Sequence, residues 1–244
     1  MAETVNLGAD EIQTRENFRR VQDRIAAACK RSGRRQEEVT LVAVSKTVAP
    51  KRIRSAYDAG LRHFGENRVQ EADAKRPLLS DLTATWHLIG HLQSNKAKSA
   101  RELFHWVHSV DSLRLAERLD KAAVCEGDRL SVLIEVNLAQ EATKSGASES
   151  EVMTLAGQIS SLRTLELRGL MAIPPFFEDP EQSRPFFRRL RELAKRIETA
   201  HFDNVSALEL SMGMSHDFEI AIEEGATIVR VGTAIFGSRQ PAHQ

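Results

Sequence analysis

The sequence has little cysteine and no long apolar run. Its two cysteines, Cys29 and Cys125, fall outside any CxxC or mixed Cys/His pattern, which argues against a disulfide framework and against a zinc site of familiar spacing. No run approaches about 18 apolar residues, and residues 1–10 lack the basic start and apolar stretch of a signal peptide. We therefore expect a cytoplasmic protein with two buried, unreactive thiols.

The sequence also lacks an excess of charge of either sign. Lys plus Arg and Asp plus Glu both count 34, so no basic footprint points to nucleic acid or to an anionic membrane. Hydrophobic residues at 41% and charged residues at 28% are typical of a soluble globular chain. Because no linker rich in Pro, Gly or Ser divides the chain, we expect a single domain over residues 1–244.

An alternation of short apolar strands and helical patterns fills the chain. Phe18, Val21, Ile25 and Ala28 form one apolar stripe, which predicts an N-terminal helix over about residues 11–32. Eight further apolar runs predict strands at 40–46, 62–65, 85–89, 106–110, 132–137, 168–173, 208–211 and 227–231. Each of these runs precedes a helical pattern or a glycine turn. Eight parallel strands with right-handed crossovers fit a closed (β/α)8 barrel of the TIM type over about residues 38–238, with an open doubly wound sheet as the alternative.

Polar residues stand at the C-terminal ends of these strands, where a (β/α)8 barrel carries its functional groups. Lys46 is the most informative, because it shares strand parity with Val42 and Val44 and a barrel strand has no solvated face for an ammonium group. A desolvated lysine amine attacks carbonyls, which indicates a Schiff base with a sugar phosphate or with pyridoxal phosphate. A lysine just past the strand that reaches solvent along its aliphatic stem is an equal alternative.

Two glycine-bearing turns follow the last two strands. The first is Ser211-Met212-Gly213-Met214-Ser215, and the second is Gly232-Thr233, which leads into Ala234-Ile235-Phe236. The loops after strands seven and eight form the usual phosphate site of this barrel, although their hydroxyls also suit plain helix N-caps.

Several familiar signatures are missing from the chain. His87 and His91 are four residues apart without an HExxH pattern, so we expect no metal site. GxSxG, P-loop and GxGxxG motifs and paired hydrolytic carboxylates are also absent. With these classes of site excluded, the remaining candidates are formation of an imine and binding of a phosphate-bearing ligand.

The motifs together resemble the pyridoxal phosphate homeostasis protein family. Seven stretches in order carry the resemblance: VAVSKT (42–47), FGENRVQE (64–71), WHLIG with LQSNK (86–96), EVN (135–137) with Glu141, Lys144 and Gly146, RGLMAI (168–173), LSMGMS (210–215) and VRVGTAIFG (229–237). The family's barrel is similar to the N-terminal domain of alanine racemase. The resemblance therefore implies a fold-type III barrel that binds pyridoxal 5'-phosphate (PLP) as an imine on Lys46.

The resemblance also implies roles for residues around the cofactor. Ser211, Gly232 and Thr233 are expected to hold the phosphate, Arg230 to face the pyridine nitrogen and Asn67 to lie beside the ring. Four more residues match motif positions and complete the expected cofactor-binding set, namely His87, Met171, Met212 and Gly213. Of these, His87 is expected at the barrel mouth.

The implied function is to buffer, carry or deliver PLP, as a monomer that serves PLP-dependent apo-enzymes and has no robust turnover. An amino-acid racemase or decarboxylase is the main rival. A two-base racemase needs an acid or base opposite the lysine, in the related enzymes a tyrosine brought by a second domain. The single tyrosine here, Tyr57, falls in the helix after strand one, and seven residues follow Gly237, so we expect neither the opposing base nor the second domain. A Schiff-base aldolase acting on a sugar phosphate is the third class.

Overall fold

The computed structural model of the chain describes residues 8–123, 129–139, 141, 145–203 and 205–237. Cys125, Lys144 and the predicted barrel end at residue 238 lie outside the described residues.

Eight parallel strands pair in chain order and close on themselves, because the first strand pairs with the last. The predicted (β/α)8 barrel is confirmed. The strands are β1 (Thr40–Val44), β2 (His63–Glu66), β3 (Thr85–Leu88), β4 (Trp106–Val110), β5 (Leu130–Glu135), β6 (Leu165–Met171), β7 (Val205–Ser211) and β8 (Ile228–Val231).

Helices cover the outside of the barrel. Those of the described residues are α1 (Ala9–Arg31), α2 (Pro50–Asp58), α3 (Val69–Lys75), α4 (Ala97–Leu103), α5 (Leu113–Lys121), α6 (Glu149–Ser160), α7 (Arg184–Thr199), α8 (Phe218–Glu223) and α9 (Thr233–Phe236). Short 3-10 turns occur at Gln36–Glu38, Arg76–Leu79, Ser94–Lys96 and Pro180–Ser183. The extra helix predicted over about residues 11–32 is α1.

The hydrophobic core has two parts, as strands buried on both faces require. Outward-facing strand residues such as Phe64 and Trp86 pack against the helices and form most of the core. A smaller cluster fills the inside of the barrel, and it consists of Val42, Leu133, Met171 and Ile228, with Trp106 packed against it.

Helix α1 buries the apolar stripe that the sequence predicts and packs against α2, α8 and α9. Asn17 of α1 donates from its side-chain nitrogen to the carbonyl oxygen of Ile235 at 3.0 Å. Arg52 of α2 donates to the carbonyl oxygen of Phe236 at 2.6 Å. These two bonds satisfy carbonyls at the end of α9, so α1 and α2 fix the position of that short helix.

No helix within the described ranges is long and apolar enough to cross a membrane. In the same ranges, no group of three or more His, Cys, Asp or Glu side chains is arranged to hold a metal ion. Cys29 is a buried free thiol, as expected.

Candidate functional site

Lys46 follows β1 in a tight turn at the C-terminal mouth of the barrel, where it is half-buried. Strand β1 ends two residues earlier than expected, because Thr47 takes a left-handed conformation with φ of 61°. That conformation is unusual for a β-branched residue and carries strain. The Thr47 amide donates to Glu71 Oε2 at 3.1 Å, which holds the turn in place.

A buried polar cluster anchors the same turn from below. The Ser45 hydroxyl donates to Glu66 Oε1 at 2.7 Å, and Lys75 Nζ donates to the same oxygen at 2.9 Å and to the Ser45 carbonyl at 2.8 Å. Burial raises the pKa of the Glu66 carboxyl, and the charge of Lys75 opposes that rise. Ser45 and Glu66 are fully buried. The backbone that carries Lys46 is therefore fixed on both sides.

Arg230 lies on β8 next to β1, with Val42 as its register partner. The side chain is 3% exposed, and burial lowers its pKa to about 10, so the guanidinium stays charged at neutral pH. It donates through Nη1 to Ser211 Oγ at 2.6 Å and through Nη2 to the Ala172 carbonyl at 3.0 Å. Within the described part of the chain, no carboxylate forms an ion pair with Arg230. A buried cation without a paired carboxylate suits an electron-rich ligand atom.

The turns after β7 and β8 meet at the start of α9. The backbone N–H groups of Gly232 and Ala234 donate to Ser215 Oγ at 3.2 and 3.4 Å. Gly213 has φ of +88°, and a Cβ there would lie 2.6 Å from the Ala221 Cβ, so only glycine fits this turn. The arrangement presents amide donors and hydroxyl groups at one place, which is how proteins bind phosphate.

Asn67 follows β2 and is half-buried beside the turn of Lys46. Its backbone packs so closely on Gly90 that a Cβ at position 90 would lie 2.4 Å from the Asn67 carbonyl oxygen. The Ser109 hydroxyl donates to the Gly90 carbonyl at 2.7 Å. The loops after β2 and β3 are thereby held against one another and against β4.

The remaining expected site residues lie deeper in the molecule. His87 is 1% exposed and contacts His63 and His108 inside the barrel. Met171 belongs to the inner apolar cluster of the barrel, and Met212 packs in the outer core among the helices. Burial does not separate these three residues from the others, because Arg230 and Ser211 are buried as well.

Glu135 is a mouth residue that sequence reasoning did not single out for the site. It ends β5, pairs in register with Met171 and is 8% exposed. Ser145 donates to its Oε1 at 3.1 Å, whereas its buried Oε2 has no hydrogen-bond partner among the described residues. Burial raises the pKa of this carboxyl, the charge of Asp111 adds to the rise, and Arg230 opposes it. Glu135 shares strand parity with Leu133, which faces the inside of the barrel, and this parity could have indicated its place. In the same way, the position of Ser215 four residues after Ser211 could have indicated that it reaches the turn before α9.

A pocket of about 900 Å³ opens at the same end of the barrel, over the loops after β1, β2 and β3. Thr47, Arg68, Glu71, Lys75 and Lys96 contribute its charged and polar lining. The pocket borders the turn of Lys46 and does not reach Arg230 or Gly232.

Comparisons with known proteins give the following relationships. The model of the family described as alanine racemase, N-terminal domain, matches residues 14–240. A pyridoxal phosphate homeostasis protein of Aquifex aeolicus is 46% identical over 225 residues, which span 92% of this chain and 98% of that protein. The structure of PipY from Synechococcus elongatus with PLP bound has a TM-score of 0.78 at 43% identity and covers 89% of this chain and 100% of that one. Alanine racemase from Corynebacterium glutamicum, at 17% identity and a TM-score of 0.69, covers 94% of this chain and 62% of that one, and shares the fold.

Proposed function

The chain belongs to the pyridoxal phosphate homeostasis protein family, and from that membership we propose that it binds PLP at the barrel mouth and buffers or delivers it. The observation that carries the proposal is Arg230, a buried guanidinium that forms no ion pair with a carboxylate of the described residues, on the strand next to the one that Lys46 follows. The pyridoxal phosphate homeostasis protein of Aquifex aeolicus and the PLP-bound PipY structure support the same ligand.

The residues at the mouth fit the three chemical parts of PLP. The Thr233 hydroxyl and the Gly232 and Ala234 amides suit the dianionic phosphate, since the amides would exchange their long bonds to Ser215 Oγ, at 3.2 and 3.4 Å, for charge-assisted ones. Arg230 only donates hydrogen bonds, so it suits an unprotonated pyridine nitrogen. Asn67, fixed by its contact with Gly90, would contact the ring from the side of β2.

Lys46 is the residue to which we assign the covalent bond. Condensation of its amine with the PLP aldehyde forms one C=N bond and releases one water, and it needs no other reactant. The anchored turn around Ser45 and Thr47 supports this role, because a lysine whose backbone is fixed loses less conformational entropy on forming the bond.

We propose that the protein holds PLP without robust turnover of amino acids. Bound PLP supplies an electron sink, and an arginine beside the ring nitrogen weakens that sink because it cannot protonate the nitrogen. Tyr57 lies near the end of α2, away from the mouth. Its ring packs 4.0 Å from the guanidinium of Arg62, the residue directly before β2. It is therefore unsuited to act as the second base of a racemase.

The test is an absorbance spectrum of the protein purified with PLP, before and after borohydride reduction, followed by peptide mass mapping. We expect a yellow protein whose pyridoxyl adduct lies on Lys46 and is lost in Lys46→Ala. Lys96→Ala is the matched control, because Lys96 lines the neighbouring pocket and should leave the adduct intact. An adduct mainly on another lysine would refute the assignment, and a colourless protein would favour the aldolase.

The racemase or decarboxylase alternative is tested on the same sample. Added L-alanine should keep its configuration and its carboxyl group over many hours, while an apo-enzyme that needs PLP should regain activity when mixed with the loaded protein. Rapid racemisation or carbon dioxide release would overturn the assignment as a carrier.

A further inference from the structure

Three histidines, one serine and Arg230 form a continuous hydrogen-bonded chain through the barrel interior. His63 Nδ1 lies 3.0 Å from His87 Nε2, and His87 Nδ1 lies 2.9 Å from His108 Nε2. His108 Nδ1 lies 2.9 Å from Ser211 Oγ, which accepts from Arg230 at 2.6 Å. The histidines come from β2, β3 and β4, and the other two residues from β7 and β8. This series of hydrogen bonds therefore crosses the barrel from half-buried His63 to Arg230.

The inner histidines are neutral. His87 and His108 are 1% and 0% exposed. Burial lowers the pKa of both rings well below the ordinary value of 6.5, the neighbouring histidines add to this at His87, and the charge of Arg230 adds to it at His108. A neutral imidazole has one N–H donor and one acceptor nitrogen, so each ring passes a hydrogen bond in one direction only.

Arg230 sets that direction. A guanidinium has no acceptor, so Ser211 Oγ must accept from it, and the serine hydrogen needs another acceptor. The acceptor that the described residues provide is His108 Nδ1. His108 then carries its proton on Nε2 and donates to His87 Nδ1, and His87 in turn donates from Nε2 to His63 Nδ1. Every hydrogen bond of this series is therefore donated in the direction from Arg230 towards His63.

We propose that Ser211 and His108, supported by His87, are positioning residues that hold Arg230 in the orientation needed at the ring nitrogen of PLP. This inference rests on the proposed function, and it refines the expectation that Ser211 holds the phosphate. The Ser211 hydrogen is committed to His108, so the hydroxyl has no proton to offer a phosphate. Ser211 and the Ala172 carbonyl instead bind one guanidinium nitrogen each, which fixes the plane of the group.

The first test needs no cofactor. In the unaltered protein labelled with nitrogen-15 histidine, NMR should show His87 and His108 neutral at pH 7, each protonated on Nε2. Ser211→Ala should shift His108 towards the Nδ1 tautomer, and Ser211→Thr, which keeps the hydroxyl, should restore the original state. A charged ring at either position, or an Nδ1 proton on His108 in the unaltered protein, would overturn the proposal without any variant.

The second test separates a positioning role from phosphate binding. Ser211→Ala should weaken PLP and pyridoxal equally, each by about tenfold, because the loss acts through Arg230 and the ring. The nitrogen-15 shift of labelled PLP should change in the same variant. A loss confined to PLP would assign Ser211 to the phosphate and overturn the proposal. Failure of the unaltered protein to bind PLP would refute the proposed function instead. The histidine tautomers would still show whether the hydrogen bonds run from Arg230 towards His63 as proposed.

Discussion

Gly90→Ala should damage the site through the backbone alone. The added Cβ would lie 2.4 Å from the Asn67 carbonyl oxygen and 2.9 Å from the Asn67 Cα. An ordinary carbon–oxygen contact is about 3.5 Å, so the two loops must separate by about 1 Å. Neither loop is free to move, because Ser109 holds the Gly90 carbonyl at 2.7 Å and the Ile89 amide donates to the Glu66 carbonyl at 2.9 Å.

Overpacking of this kind costs about 1–3 kcal/mol, and for a chain of this length 1 kcal/mol corresponds to roughly 2–4 °C in Tm. We therefore expect Tm to fall by roughly 2–12 °C in thermal unfolding, and PLP affinity to fall because Asn67 is displaced.

Gly157→Ala is the matched control. It lies within α6, and its new Cβ would lie 3.0 Å from the movable ring of Phe202, so a gain in helix propensity of up to about 1 kcal/mol offsets the contact. A Gly90→Ala protein with the Tm and PLP affinity of the unaltered protein would refute the argument that this approach shapes the site.

Three further variants test other parts of the site. Thr47→Gly should raise the free energy of unfolding by up to about 1 kcal/mol, since the strain of the left-handed conformation exceeds the entropy cost of glycine. PLP titration should show weaker binding to this variant. A lower Tm would contradict the argument. Thr233→Val should cost PLP about 1.5–3 kcal/mol of binding free energy and leave pyridoxal unchanged; equal losses would make Thr233 only a helix cap. Glu135→Gln should match the unaltered protein in denaturant stability below pH 4.5 and exceed it as pH rises, because the raised pKa of Glu135 means that ionisation favours the unfolded chain; a pH-independent difference would contradict this.

The strand pattern was predictable from the sequence because a parallel barrel buries both faces of each strand. Apolar runs located all eight strands, but their ends moved by up to three residues. Strand β6 begins at Leu165 rather than residue 168, since polar Glu166 and Arg168 alternate with leucines and hide the strand from a search for apolar runs. Strand β2 ends at Glu66 rather than at residue 65, because the Glu66 side chain is buried and bonded to Lys75.

The mouth residues were predictable in part. Strand parity and motif single out Lys46, the family resemblance singles out Arg230, and the structure places Arg230 on β8, the strand that pairs with β1. The chain of histidines was not predictable, because His63, His87 and His108 are 24 and 21 residues apart and meet only through the register of three strands. Glu135 was missed because a carboxyl at a strand end looks the same in sequence whether it is solvated or buried.

The docking of α1 has a consequence for the order of synthesis and assembly. Residues 9–31 are synthesised before the barrel, and α1 can pack on α2 early, but the bond from Asn17 to Ile235 spans 218 residues, so the packing of α1 is complete only when nearly the whole barrel has been made. Contacts of such sequence separation form late and slow folding. The end of α9, whose start belongs to the proposed phosphate site, is bonded to α1 only at that step. A nascent chain should therefore be unable to hold PLP at the proposed site until synthesis has passed α9.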